Sequence, residues 1–300
     1  MNAWQDHTIS THFFDEHSCV CYLFAKRWPW GFTCPVCGTL QKDMVPAEQV
    51  VCRFCRRQTS ITAHTLMHGS KKSLAAWLLV AHQFCEQDRG ISGRELQRLL
   101  ELSCYQTAWT WLRKMRRGAA LAEAAPCRGV VLFDLVESTV VVPANTAGPA
   151  IGIAMELKQK TGAANRVRMV VVDCRYPDEI AAAIGLLVLE NSTLLVSMEK
   201  WDRQLCRLNS LPDHYLVGHP TTEHLRQEHA LLDDLACWLH SVYRATIDRR
   251  YLQDYLDEYS FRRNTSSWRD RRAVLDHLLT GLITPIDDQA KPSLPGKKQR

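Results

Sequence analysis

Four cysteines and three acids are the residues of this chain whose types and spacing could do chemistry. Cys34-Pro35-Val36-Cys37 is followed, after fourteen intervening residues, by Cys52-Arg53-Phe54-Cys55. Two residues between paired cysteines let both thiolates face one point from a tight knuckle. Gly38 can supply the left-handed backbone that ends such a knuckle. Two knuckles together complete a closed tetrahedral four-sulfur site, the structural form of zinc binding, with no ligand position open for catalysis. A redox C-x-x-C would be expected once and not as a matched pair. The other eight cysteines (19, 21, 85, 104, 127, 174, 206 and 237) have no comparable spacing, and most read as small buried apolar residues.

The acids are Asp134, Glu199 and Asp234. Asp134 stands inside an apolar run, 129–135, where a carboxylate is costly without a partner or a metal. Glu199 follows directly on the run 193–197. Asp234, beside Asp233, lies early in a long helical stretch, where an acidic first turn favoured by the helix dipole is the plainer explanation. Converging, three such oxygen donors suit Mg2+ or Mn2+. Two ions held there would polarise a phosphodiester and activate water or a 3′-hydroxyl.

The elements that must position these groups can be read from periodicity. Residues 73–86 form a strongly apolar helix. Ser92 and Glu95 make a capping box for a short helix ending near Leu100. After the turn 101–103, a second helix spans 105–117. Its inward face is Ala108, Trp111, Leu112 and Met115, leaving Gln106, Thr107, Thr110, Arg113 and Lys114 outward. This is a helix-turn-helix layout, although a plain packing hairpin has the same pattern. Beyond it come strands at 129–135, 150–157, 166–173, 193–197 and 215–218. A helix lies at 177–189, and a long helical stretch runs over 229–262 with a break near Thr246. Three strands, helix, strand, strand, helix is the order of an RNase H-like mixed sheet. The expected fold is therefore multidomain α/β. A zinc ribbon region covers 1–66, a helical DNA-binding segment 67–118, a linker 119–128, an RNase H-like domain 129–286 and a basic tail 287–300.

Charge supports a polyanionic partner. The chain of 300 residues carries a formal net charge of +5, but residues 51–117 hold 12 basic against four acidic residues, a local net of +8. Arg53, Arg56, Arg57, Lys71 and Lys72 belong to this stretch and join the outward helix residues as candidate DNA contacts. A solvated basic surface is the bland alternative. No run of eighteen apolar residues suggests a membrane span, and the first residues lack a secretory pattern, so a cytoplasmic, nucleoid-associated protein with reduced thiols is expected.

Several stretches together carry a family resemblance: CPVCG at 34–38, CRFCRRQTSITAHTLMHGSKKSLAAWLLV at 52–80, GISGRELQRLLELSCYQTAWTWLRKMR at 90–116 and YLQDYLDEYSFRRN at 251–264. The chain resembles bacterial insertion-sequence transposases of the ISXO type, which join a zinc ribbon to a DDE-type domain. The resemblance implies binding of double-stranded DNA at terminal inverted repeats, action as a homo-oligomer, and cleavage and strand transfer by Asp134, Glu199 and Asp234. In that group the second acid is an Asp, whereas Glu199 stands here. His229 precedes Asp234 by the group's usual five residues. Two further readings stay open: a catalytically inert, co-opted relative that binds DNA or regulates, and a zinc-ribbon adaptor that contacts protein.

Overall fold

The computed structural model describes residues 15–87, 89–138, 149–173, 176–197, 214–243 and 247–286. They form a mixed α/β molecule with eight α-helices, two small hairpins and a five-stranded mixed sheet among the described residues. The chain divides into two compact units. One comprises Met1–Gln87, Gly93–Ala122 and Asp270–Arg300; the other comprises Asp88–Ser92 and Glu123–Arg269.

The first unit opens with α1 (Glu16–Arg27), whose N-terminus is capped by the Asp15 carboxylate accepting from the His17 and Ser18 amides. Two antiparallel hairpins follow: β1 (Phe32–Thr33) with β2 (Leu40–Gln41), and β3 (Gln49–Val51) with β4 (Gln58–Ser60). The Arg27 guanidinium donates to the carbonyls of Ser60, Ile61 and Ala63, tying α1 to the end of the second hairpin. Helix α2 (Leu74–Glu86) is capped by Ser73, and the Glu16 carboxylate accepts from its Leu74 and Ala75 amides at 2.7 and 3.0 Å. These bonds satisfy donors that every helix N-terminus leaves open. Helices α3 (Gly93–Leu99) and α4 (Tyr105–Ala122) complete the helical segment, with Trp77 of α2 stacked on Trp111 of α4 at 4.6 Å.

Two differences from the sequence reading occur here. Helix α4 continues to Ala122, so the expected linker 119–128 begins as helix, and Ala119 is buried. The last described helix, expected within the C-terminal domain, belongs to the first unit: α8 (Arg271–Ile283) packs on α4. Both follow from one close approach. A Cβ built on Gly281 would lie 1.8 Å from the Gly118 carbonyl oxygen, so only glycine lets these two backbones touch. Such a pairing joins residues about 160 positions apart, which local periodicity cannot reveal.

The second unit is built on a sheet of order β7-β6-β5-β8-β9. Strands β5 (Val130–Glu137), β6 (Ala150–Leu157) and β7 (Ala164–Val172) are antiparallel, and β8 (Thr193–Leu195) and β9 (Leu216–Gly218) run parallel to β5. Alternation along β5 divides the core. Val131, Phe133 and Leu135 share a cluster with Ile180, Ala183, Ile184 and Leu187 of α5 (Pro177–Leu187). Leu132 and Val136 share the other cluster with Leu231, Leu235 and Leu239 of α6 (Thr222–Tyr243) and with Leu252, Tyr255 and Leu256 of α7 (Leu252–Thr265). The outer side of β7 is closed by amide side chains from α7. Gln253 bonds the Val171 amide and Met169 carbonyl, and Asn264 bonds the Val167 amide and carbonyl. These bonds cap an edge that would otherwise be open for pairing. No described helix is long and apolar enough to cross a membrane.

Candidate metal centre

The two cysteine knuckles repeat one backbone pattern. In the first, the Gly38 amide donates to the Cys34 carbonyl at 2.9 Å and the Cys34 amide to the Thr39 carbonyl at 3.1 Å. In the second, the Arg56 amide donates to Cys52 at 3.0 Å and the Cys52 amide to Arg57 at 2.9 Å. Gly38 and Arg56 occupy the same left-handed place, at φ 70° and 61°. The turns set the four Sγ atoms within 4.8 Å of one another, with Cys34–Cys55 at 3.6 Å and Cys37–Cys52 at 3.7 Å. Four sulfurs about 2.3 Å from a tetrahedral ion are roughly 3.8 Å apart, so the group fits a metal. Four thiolates with no oxygen donor suit a soft ion. Among the described residues this is the one group of three or more side chains that could hold a metal.

Surrounding donors prepare the sulfurs. Gln41 Nε2 donates to Cys52 Sγ at 3.2 Å, and the Cys55 amide lies 3.5 Å from the same atom. The Cys55 amide is the main reason the Cys52 thiol is lowered to about 6. The Thr39 side chain and amide lower the Cys37 thiol as well. Cys55 goes the other way: against a lowering bond from Arg57, burial and the neighbouring sulfurs raise it to about 12. Such hydrogen bonds orient ligands around a metal.

The candidate DNA contacts are distributed around this unit. Arg53, Arg56, Arg57, Lys71 and Lys72 are exposed. Arg53 also reaches back, donating to the Asp43 carbonyl at 2.9 Å. On α4, Gln106, Thr110 and Arg113 are exposed and Thr107 is half-buried, with the Arg113 guanidinium 5.0 Å from the Trp109 ring. Lys114 is not an outward residue of the expected kind. It is half-buried, its ammonium lies 5.2 Å from the Trp77 ring, and burial lowers its pKa. Residue 114 follows Trp111 by three positions on the same helix face, and Trp111 stacks on that Trp77 ring. The sequence reading missed Arg94, Gln97 and Arg98 of α3, which with Tyr105 line a cleft of about 520 Å3. The i, i+4 spacing of Arg94 and Arg98 opposite Leu96 was the available signal.

The three acids have different fates. Asp134 is buried at 3% exposure in the middle of β5, and its Oδ1 accepts from the Leu135 amide at 2.8 Å. It lies on the strand face shared by Leu132 and Val136. Glu199 falls outside the described residues. The β5–β8 register pairs Leu132 with Leu195, and its continuation would bring Ser197 level with Asp134. Asp234 is exposed on α6, where its carboxylate accepts from the Tyr259 hydroxyl of α7 at 2.7 Å. With Met155, Gln227 and Arg263 it lines a cleft of about 570 Å3. Burial and this carboxylate both raise the Tyr259 pKa. A carboxylate that the sequence reading passed over is Glu228, 1% exposed and on the α6 stripe of Leu231, Leu232, Leu235 and Leu239. Its helical spacing from those leucines was legible.

Compared with protein-family models, curated proteins and solved structures, the chain matches none.

Proposed function

We propose that this chain is a DNA-binding protein of the insertion-sequence transposase type. Its four-cysteine ribbon would hold Zn2+, and its ribbon and helices α2–α4 would grip duplex DNA at terminal inverted repeats. The observation that carries the reading is Asp134. The order β7-β6-β5-β8-β9, antiparallel then parallel, fits the RNase H-like expectation, and a buried acid sits midway along its central strand. Fully buried carboxylates are rare unless paired or bound to metal. Asp134 with Glu199, and Asp234 as the third member, would hold Mg2+ or Mn2+. Such ions polarise a phosphodiester and activate the attacking oxygen. Joining two DNA ends calls for a homo-oligomer, and the setting would be the bacterial nucleoid.

Zinc-loaded protein should bind duplex DNA with an affinity that falls at least ten-fold between 50 and 200 mM salt, as phosphate contacts require. With Mn2+ it should nick supercoiled plasmid, and Asp134→Asn should stop nicking while leaving binding intact. Nicking that survives in Asp134→Asn, or an absence of salt-dependent binding, would overturn the assignment.

A second reading is an inert relative that keeps DNA binding alone. The engagement of Asp234 by Tyr259 favours it, since that carboxylate already has a structural partner. Intact binding with no nicking by the unmodified protein would select this reading.

A further inference from the structure

We propose that Phe54, at the tip of the second knuckle, stacks on a nucleobase of bound DNA while Arg56 and Arg57 hold the flanking phosphates. This rests on the DNA-binding reading and names the contact the ribbon makes.

The two knuckles provide an internal control. Their backbones and sulfur geometry correspond, so zinc alone would ask the same of both. The first tip is Pro35-Val36, closed by Gly38 in the left-handed place. The second tip is Arg53-Phe54, closed by Arg56 in the left-handed place. Glycine takes that conformation without strain, whereas a residue with a Cβ does not. The backbone at 56 would suit glycine better, and the chain places a cation there instead.

Phe54 is 78% exposed, so its ring contributes little to any core. Its position is nonetheless rigid. It lies between two cysteines of the centre, and the Arg53 amide and guanidinium are anchored to Gln41 and to the Asp43 carbonyl, both at 2.9 Å. From residue 49 to 60 there are three arginines and no acid. An exposed aromatic ring flanked in sequence by arginines on a stiff support suits a wedge into a base step: the ring meets the face of a base that the insertion unstacks, and the guanidiniums meet the backbone.

The test uses the full zinc-loaded chain and a mixed-sequence duplex of about 30 base pairs with 5-iodouracil substituted for thymine. Irradiation should cross-link the duplex to the peptide containing Phe54. Phe54→Ala should weaken binding about ten-fold, the scale of one lost base stack, without changing the slope of affinity against salt. Phe54→Trp should restore the affinity. Arg56→Gly, which suits the backbone at that place, and Arg57→Ala should each lower the salt slope by about one. Unimpaired binding by Phe54→Ala, with cross-links elsewhere, would overturn the stacking contact and leave the DNA-binding reading standing. Failure of the unmodified protein to bind DNA at low salt would overturn both. Zinc content measured on each variant separates these outcomes from loss of the ribbon.

Discussion

The four cysteines and the three acids contrast in how each set is assembled. The cysteines fall within 22 consecutive residues and are brought together by two knuckle turns closed by local backbone hydrogen bonds, with Gln41 and Arg53 joining one hairpin to the other. The acids span 101 residues and sit on a strand, on a segment following another strand, and on a helix. The structure completes the first set as a compact sulfur group. It sets two members of the second in unlike surroundings, Asp134 buried in the sheet and Asp234 exposed against Tyr259. A site made by local turns survives small changes elsewhere; one made by long-range packing depends on every element between.

The largest expected effect breaks the local site. Cys34→Ser with Cys52→Ser should reduce bound metal from one ion per chain to none. Binding of a structural zinc is worth on the order of 10 kcal/mol, so the hairpins should lose their hydrogen-exchange protection. Retained metal or protected hairpins would show that the sulfurs are not a metal centre. Next in size is a long-range contact of the same unit. Gly281→Val would press its side chain into the α4 backbone and should cost about 3 kcal/mol, seen as a lowered thermal midpoint. An unchanged midpoint would deny the close crossing of α4 and α8.

Smaller effects sharpen the position of Asp234. In a double-mutant cycle of Asp234→Ala with Tyr259→Phe, we expect a coupling of about 1 kcal/mol on stability, because the hydrogen bond joins α6 to α7. No coupling would return Asp234 to the metal set. The last prediction concerns acid and reverses on neutralisation. In the metal-free knuckle the Cys55 amide lowers the Cys52 thiol to about 6, so folding favours its thiolate. Its contribution is complete above the unfolded thiol's pKa and is lost as pH falls through about 6. Because metal and protons compete for the same thiolates, metal should stay bound at pH 7.5 and be released as the pH is lowered, followed with a chromophoric chelator; release that does not change with pH would contradict the assignment.

The difference in assembly also explains what could be read from the residues alone. The cysteine spacing encodes its own geometry, since C-x2-C with Gly38 closing the turn leaves few alternatives. Strand β6 was legible to the residue because both faces of a central strand are apolar, and α2 was legible because it is apolar nearly all round. Helix boundaries moved where tertiary contacts extend an element: residues 119–122 look like the start of a linker until Gly281 packs against Gly118 and Ala122. Lys114 counts as outward on a helical wheel, but the wheel cannot show that Trp77 lies beneath it. The partner of Asp234 was invisible for the same reason, since Tyr259 comes from another helix 25 residues away.

The most direct measurement is a titration of Mn2+ into zinc-loaded protein, followed by electron paramagnetic resonance, for the unmodified chain and for Asp134→Asn. If Asp134 anchors a carboxylate metal centre, the unmodified chain removes the free-Mn2+ signal with a saturable stoichiometry, Asp134→Asn does not, and bound zinc is the same in both. Equal Mn2+ binding by the two proteins would contradict that role for Asp134.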